Sequence, residues 1–242
     1  MTARVEFMDR IRREMAKTQG LFPARVAERP ADPVAAAEVL RRRLAERWPQ
    51  ALERFRQEFE RVSGVFYTVD SMSAVPAVVG SIARERNARR VITWSAKALG
   101  VDLGDGLRGE GLDPVAMPDE PVDANEAARL REINAAAEIG VTGADLAVGE
   151  TGTLVLVSGR GCPRSTSLLP EYHVAVFDRR ALVETLEQAG VILEAWHDDR
   201  ERPLSGGAIS FITGPSRTAD IELTLTRGVH GPREVHAIFV RP

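Results

Sequence analysis

The segment 140–156 holds the chain's densest group of side chains able to bind a ligand or transfer a proton. Between two apolar, strand-like runs it places polar residues and glycines: Thr142, Asp145, Glu150, Thr151, Gly152 and Thr153. A carboxylate beside hydroxyls at the end of a buried strand is where α/β proteins commonly hold a ligand. If burial raised its pKa, Glu150 could act as an acid, base or nucleophile. A hairpin whose turn needs Gly149 and Gly152 explains the same residues equally well.

Two later polar segments, 214–222 and 228–234, also follow or join strand-like runs. Because the ends of parallel strands converge on one crevice, we expect all three segments to line one site. Arg217 and Arg233 could hold a carboxylate or phosphate there, since a guanidinium group pairs with such anions through two hydrogen bonds. The predicted ligand-binding residues of these segments are Ser216, Arg217, Thr218, Asp220, His230 and Arg233. The alternative is that Asp220 and Arg233 form structural ion pairs that fix loops.

The sequence does not predict a metal or an iron–sulfur cluster in this chain. Its four histidines have no tight metal-ligand spacing, and its single cysteine, Cys162, cannot hold a cluster alone. Cys162 lies between Arg160 and Arg164, a basic setting that predicts a lowered thiol pKa. We therefore expect no cofactor in the chain itself.

The elements that must position these residues alternate between strands and helices after residue 63. The strand-like runs are 65–69, 90–94, 112–117, 173–177 and 235–240, and the helical segments between them include 74–87, 125–138 and 179–189. This alternation predicts βαβ units and a largely parallel sheet, and hence the α/β class. Residues 221–226 alternate like a strand, yet Ser216 or Thr218 would cap a helix, so both structures stay open there.

Residues 1–62 predict an N-terminal helical arm ahead of an α/β domain at 63–242. Apolar residues recur at three- and four-residue steps, as at Ala37, Leu40 and Leu44. Such an arm must cover either this chain's own sheet or a second protomer, which would make a homo-oligomer.

Charge and hydropathy limit the partners. The net charge of −3 argues against nucleic acid as the main partner. The sequence has no apolar run of membrane-spanning length, and its first residues lack a signal-peptide core. We therefore expect a cytoplasmic protein without a membrane span.

Several segments together resemble the lactate utilization protein C family, whose common unit is the LUD domain. They are 140–156, 167–176, 214–222 and 228–232, in the family's order. Gly149 stands where the family has alanine in Ala-Glu-Thr-Gly-Thr. The resemblance covers about residues 60–242 and implies a three-layer α/β/α fold with a mostly parallel sheet, similar to sugar isomerases and CoA transferases.

The same resemblance implies a role beside two iron–sulfur proteins in oxidising L-lactate to pyruvate. The cluster-binding cysteines would belong to those partners. The chain would then be a non-redox subunit or accessory protein that binds a small carboxylate or docks its partners. The alternative is a stand-alone acyl- or CoA-transferase-like or sugar-phosphate enzyme, because Glu150-Thr-Gly is similar to the Glu-x-Gly that carries the nucleophile of CoA transferases. Whether the chain is itself an enzyme stays open.

Overall fold

The computed structural model describes residues 3–17, 30–198, 207–219, 225–228 and 230–242. The chain divides into two compact units, Met1–Ala31 and Asp32–Pro242. The described part of the first unit is helix α1 (Ala3–Lys17). The second long helix of the predicted arm belongs to the larger unit.

The larger unit combines strands and helices along its whole length. Its strands are β1 (Val65–Val69), β2 (Arg90–Thr93), β3 (Asp113–Ala116), β4 (Ile139–Gly143), β5 (Leu146–Val148), β6 (Thr153–Val157), β7 (Tyr172–Asp178), β8 (Leu182–Val183), β9 (Ile209–Ile212), β10 (Arg217–Ala219), β11 (Leu225–Arg227) and β12 (Glu234–Val240). Its helices are α2 (Pro33–Arg61), α3 (Val75–Arg86), α4 (Ala96–Leu99), α5 (Gly104–Gly109), α6 (Ala124–Ala136), α7 (Ser165–Leu168) and α8 (Leu186–Asp198).

Six strands form the main sheet in the order β1-β12-β7-β4-β2-β3, and every neighbouring pair is parallel. One face packs against α3 and α5 through an aliphatic cluster that includes Val79, Leu107 and Ile139. The opposite face packs against α2 and α6, with Phe55 and Leu130 among the buried residues. Helices on both faces of a parallel sheet confirm the predicted α/β/α class.

Helix α2 is one continuous helix that passes through Pro49. It begins after Asp32, whose side chain caps the first turn. Its second half buries Phe55 and Phe59 completely, and the Phe55 ring lies 5.3 Å from the ring of Phe177 in β7. Burying each such side chain stabilises the fold by roughly 1.5–3 kcal/mol. Helix α2 is therefore part of the core that supports the sheet.

A second sheet, which the sequence analysis did not predict, lies beside α2 in the order β8-β5-β6-β9. Within it, β5 and β6 form an antiparallel hairpin. Leu154 and Leu156 on one face join the core shared with α2 and the main sheet. Val148 and Val155 on the other face pack with residues of α8. Because both faces are buried, these strands appear in the sequence as continuous apolar runs.

The predicted helix at 179–189 is wrong. Its first residues form a 3-10 turn and the short strand β8, which pairs with β5, and α8 begins only at Leu186. Thr185 Oγ1 accepts the backbone N–H of Gln188 at 3.2 Å, and the Gln188 side chain accepts the N–H of Glu184 at 2.8 Å. A threonine followed three residues later by glutamine is a capping-box signal for a helix start.

Candidate functional site

The carboxyl edge of the main sheet has a topological switch point between β2 and β4. These two strands are hydrogen-bonded neighbours, but the chain leaves β2 towards β3 on one side and β4 towards β7 on the other. Connections that diverge in this way leave a crevice, where open α/β sheets bind ligands. Trp94 and Ser95 follow β2 at this place, and Ala144 and Asp145 follow β4.

A cavity of about 520 Å³, which we call the switch-point cavity, lies at this crevice. Its lining comes from α2 and from the ends of β2, β4 and β7, and includes Arg41, Trp94, Gly143, Asp145, Phe177 and Arg180. The volume falls within the range of roughly 300–1,000 Å³ that is usual for small-molecule sites. Of the predicted site residues, Asp145 borders this cavity.

Asp145 also holds the open end of the β5–β6 hairpin together. Its Oδ2 accepts the backbone N–H of Val157 at 2.8 Å, and its own N–H donates to the carbonyl of Val155 at 2.9 Å. Asp145 is half-buried, and its hydrogen bonds fix its carboxylate at the border of the cavity.

Arg180 brings a positive charge to the mouth of the switch-point cavity. Asp178 binds the guanidinium from one side, through Nε at 2.9 Å and Nη2 at 2.6 Å. This hydrogen-bonded carboxylate raises the pKa of Arg180. The hydrogen bonds to Asp178 leave the Nη1 donors of Arg180 without a partner among the described residues. A second carboxylate can therefore approach the opposite edge of the guanidinium.

Ser95 and Asp119 form a polar contact at the same edge that the sequence analysis did not identify. Ser95 Oγ donates to Asp119 Oδ1 at 2.5 Å and accepts the N–H of Ala98 at the start of α4. The backbone N–H of Ser95 donates to the Gly161 carbonyl at 2.8 Å. Ser95 comes directly after one segment predicted as a strand, and Asp119 lies two residues after another, so these positions were the available signal.

The predicted lowering of the Cys162 thiol pKa is wrong. The side chain is half-buried, and burial raises the pKa of Cys162, with the negative charges of Asp145 and Asp119 adding to the effect. The thiolate would be an anion placed near two carboxylates, although arginines flank the residue in the sequence. Cys162 is therefore not activated as a nucleophile.

Thr142 lies inside the main sheet and is fully buried. Its Oγ1 is 2.9 Å from Nε2 of His173 in the neighbouring strand β7. Burial lowers the pKa of His173 to about 3, and the nearby His236 contributes to this shift. His173 is therefore neutral at physiological pH, and its Nδ1 has no hydrogen-bond partner among the described residues. The contact makes Thr142 part of a buried polar pair within the core.

Glu150, Thr151 and Gly152 form the turn of the β5–β6 hairpin. Glu150 Oε1 accepts the backbone N–H of Leu186, the first residue of α8, at 2.5 Å. Gly152 has φ +60°, and a Cβ there would lie 2.3 Å from the backbone nitrogen of Phe59. The turn alternative therefore describes this segment, with Gly152 required both for its backbone angle and for its closeness to α2.

The hydroxyl groups around this turn bond to one another. Thr151 Oγ1 lies 2.7 Å from Thr153 Oγ1, which lies 2.8 Å from Thr213 Oγ1 at the end of β9. The following Gly214 approaches α2 so closely that a Cβ would lie 2.5 Å from the Val62 carbonyl oxygen. The turn, the end of β9 and the end of α2 thus meet just before β1 begins.

The described residues of the segments 214–222 and 228–234 include Ser216 and Pro232, which lie near the amino end of β12. The backbone N–H of Ser216 donates to the Pro232 carbonyl at 2.9 Å. Arg217 and Thr218 belong to β10, which pairs antiparallel with β11, so the described part of this region is strand. Asp220 lies outside the described residues.

Two further predicted residues lie in the loop before β12. His230 is exposed. Arg233 is also exposed, and its Nη1 donates to Glu171 Oε2 at 3.3 Å. Glu171 comes directly before β7, so this contact ties the starts of two neighbouring strands together.

The three polar segments therefore do not meet at one carboxyl-edge crevice. Asp145 follows β4, whereas 228–234 precedes β12, and parallel strands place these positions at opposite edges of the sheet. The turn 150–153 lies at the far end of the hairpin from Asp145, because β5 runs from one to the other. Ligand binding by the predicted residues stays a prediction.

The described residues show neither a metal-binding cluster nor a membrane-spanning helix. Within that part of the chain, histidine, cysteine, aspartate and glutamate side chains form no group of three or more that could hold a metal ion. No described helix combines the length and the apolar composition that crossing a membrane requires.

An open parallel sheet with a cavity at its switch point defines a protein of the α/β class, in which ligands commonly bind at such a crevice. Comparison with known proteins then gives the family. The LUD domain model matches residues 52–240, and the chain belongs to the LUD domain family.

Lactate utilization protein C of Halalkalibacterium halodurans is 39% identical over 155 residues, which are 64% of this chain and 64% of that protein. The match thus spans just under two thirds of that relative. Lactate utilization protein C of Oceanobacillus iheyensis is 34% identical over 174 residues, covering 70% of this chain and 71% of that protein. The crystal structure of a DUF162 family protein from Deinococcus radiodurans has a similar fold. Its TM-score is 0.52 at 22% identity, covering 80% of this chain and 98% of that one.

Proposed function

We propose that this chain serves lactate utilisation as a non-redox subunit or accessory protein that binds a small 2-hydroxy acid. The observation that carries the proposal is its similarity, at 34–39% identity, to proteins named lactate utilization protein C. Two iron–sulfur proteins, with which it would share the cytoplasm, would transfer the electrons. A sequence with one cysteine is compatible with that division of labour.

The switch-point cavity supports the carboxylate part of the proposal. The open edge of Arg180 can bind the carboxylate of the acid through charge-assisted hydrogen bonds. Asp145 borders the same cavity and adds a polar side chain to its lining. Trp94 and Phe177 supply an apolar wall for the methyl group.

Acyl transfer through Glu150 has no comparable support. The Glu150 carboxylate accepts the N–H of Leu186, and Glu150 is not among the residues that line the switch-point cavity. A nucleophilic carboxylate must instead reach its substrate.

The first test is a calorimetric titration of L-lactate into the protein. We expect binding that weakens about tenfold in Arg180→Gln, since hydrogen bonds to a charged group contribute roughly 1.5–3 kcal/mol. Arg179→Gln is the matched control, because Arg179 is an exposed neighbour that does not line the cavity. Equal affinity of Arg180→Gln and the unmodified protein would place the ligand elsewhere.

The second test addresses the subunit role. Lactate-dependent dye reduction by the two iron–sulfur proteins of the same source is measured with and without this chain. We expect turnover to rise when the chain is added and to rise less with Arg180→Gln. Turnover that does not respond to the chain would refute the subunit role.

A further inference from the structure

A second and larger cavity, which we call the α6 cavity, has a volume of about 650 Å³. It lies between α6, the segment after β3, and the segment 159–169. Its apolar lining includes Met117, Pro118, Pro121, Val122, Leu130 and Leu169. Val122 and Leu169 stay 39% and 55% exposed, so apolar surface continues from the cavity to its rim.

Two arginines border the α6 cavity without any described counter-ion. Arg131 lies on α6 and Arg160 in the segment 159–169, and neither guanidinium group forms an ion pair or hydrogen bond with a described residue. Arg129, two residues before Arg131 on the same helix, instead pairs with Glu126 at 2.9 Å. Glu120 also lines the cavity, so these charged residues leave one net positive charge.

A buried polar group lies at the base of the cavity. Asn134 lines it and is only 3% exposed. Its Nδ2 donates to Ser165 Oγ, another lining residue, at 2.7 Å, while its Oδ1 has no partner among the described residues. A buried carbonyl oxygen without a donor costs roughly 1–3 kcal/mol. A ligand hydroxyl or N–H group that reached it would remove that cost.

The wall that carries Arg160 is fixed to the end of β2. The Gly161 carbonyl accepts the N–H of Ser95, and Gly159 forms a β-bridge with Cys162. Gly161 has φ +74°, and a Cβ there would lie 2.5 Å from Ser95 Oγ. This closeness excludes a side chain and keeps the loop against the strand. The cavity is therefore formed before any ligand arrives.

We propose that the α6 cavity binds an amphipathic organic anion. The apolar body of the ligand occupies the cavity, and its carboxylate or phosphate group binds Arg131 and Arg160. Arginine suits both headgroups because its donors match two oxygens at once. This inference does not depend on lactate binding at the switch-point cavity.

Calorimetric titrations with four probes test the proposal: decanoate, decyl phosphate, 1-decanol and acetate. We expect decanoate or decyl phosphate to bind at least tenfold more tightly than decanol, which lacks the charge, or acetate, which lacks the apolar body. The ratio of decanoate to decyl phosphate affinity identifies the preferred headgroup. Equal binding of decanoate and decanol, or no binding of either anion, would overturn the proposal.

Variants locate the site. Arg131→Gln and Arg160→Gln should each weaken anion binding about tenfold, whereas the matched variant Arg129→Gln should not change it. Ala127→Phe should fill the cavity and weaken binding at least tenfold without removing a charge, since Ala127 is a lining residue. Unchanged affinity in both arginine variants would exclude the proposed headgroup contact.

A competition experiment separates this proposal from the proposed function. Saturating L-lactate should leave decanoate affinity unchanged, and Arg180→Gln should leave it unchanged as well. Displacement of decanoate by lactate would mean that one shared cavity binds both, and would overturn the second site.

Discussion

At the open end of the β5–β6 hairpin, Asp145 accepts a backbone N–H and borders a cavity at the sheet's carboxyl edge. At the turn of the same hairpin, Glu150 also accepts a backbone N–H, but there the carboxylate holds the first residue of α8. The two acidic residues are close in sequence, yet the buried strand β5 separates them. A carboxylate that accepts a backbone N–H thus borders a candidate site at one end of the hairpin. At the other end it joins the turn to the start of α8.

The two ends of the hairpin differ because one follows a strand of the main sheet and the other packs against α2. Residues that follow a parallel strand reach the carboxyl edge, where connections diverge and leave space. The turn instead packs against α2, at Gly152, and leaves no room even for a methyl group. A conspicuous polar motif can therefore serve close packing rather than a ligand.

The prediction with the largest expected effect on stability is Gly152→Ala, at the turn of the hairpin. The substitution forces a side chain into a left-handed conformation and against the backbone of Phe59, so we expect stability to fall by about 3 kcal/mol. Urea unfolding measures the change. Gly190→Ala is the control, because a Cβ there meets nothing within 4 Å and Gly190 lies inside α8. That variant should gain roughly 0.5–1 kcal/mol. A Gly152→Ala protein of normal stability would show that the turn is not tightly packed.

The next prediction concerns His173, which is buried in strand β7 of the main sheet. The pKa of His173 is lowered to about 3 in the folded protein, while a histidine in the unfolded chain has a pKa of about 6.5. Between these values the unfolded chain binds a proton that the folded chain does not, so stability falls as pH falls through this window. We expect a loss of about 2 kcal/mol between pH 8 and pH 5 from this residue.

Urea unfolding of His173→Gln at both pH values measures that contribution. The variant should be less stable at pH 8 but lose about 2 kcal/mol less than the unmodified protein on acidification. His236 remains in the variant, and burial lowers its pKa too, so some pH dependence persists. An unchanged slope in His173→Gln would mean that His173 takes up a proton in the folded protein.

The smallest expected effect is at the hairpin turn. Glu150→Ala removes the acceptor for the Leu186 N–H and a negative charge near the start of α8, so stability should fall by about 1 kcal/mol. Glu150→Gln keeps a hydrogen-bond acceptor, so its stability should fall by less than that of Glu150→Ala. Neither variant should alter lactate affinity, in contrast to Arg180→Gln. If Glu150→Gln weakened lactate binding, the turn would be part of the lactate site.

Local patterns in the sequence were sufficient for the main sheet. The strands β1, β2, β7 and β12 lie within one residue of the predicted runs, because each is a short apolar stretch bounded by turn or helix signals. The α/β class follows from their alternation with helices. The second sheet was missed because β8 has only two residues and forms by pairing with β5, which no local pattern records.

The site was harder to predict than the fold. Asp145 was found because it follows a strand, and the same rule would have found Ser95 and Asp119. Arg180 could not be found in this way, since the residues after β7 were assigned to a helix. Ser216 and Arg233 were placed at the wrong edge, because the sequence does not show which strands are neighbours or at which end each segment lies.

The strand order also sets when the protein can finish folding. Strand β12 is the last in the chain, yet it lies between β1 and β7, and Val65 pairs with His236. During synthesis β1 therefore leaves the ribosome long before its only neighbour in the main sheet exists. Contacts this distant in sequence slow folding, and the unpaired strand edges stay open to wrong partners meanwhile. Loss of β12 would remove an internal strand and leave β1 without its neighbour in the sheet.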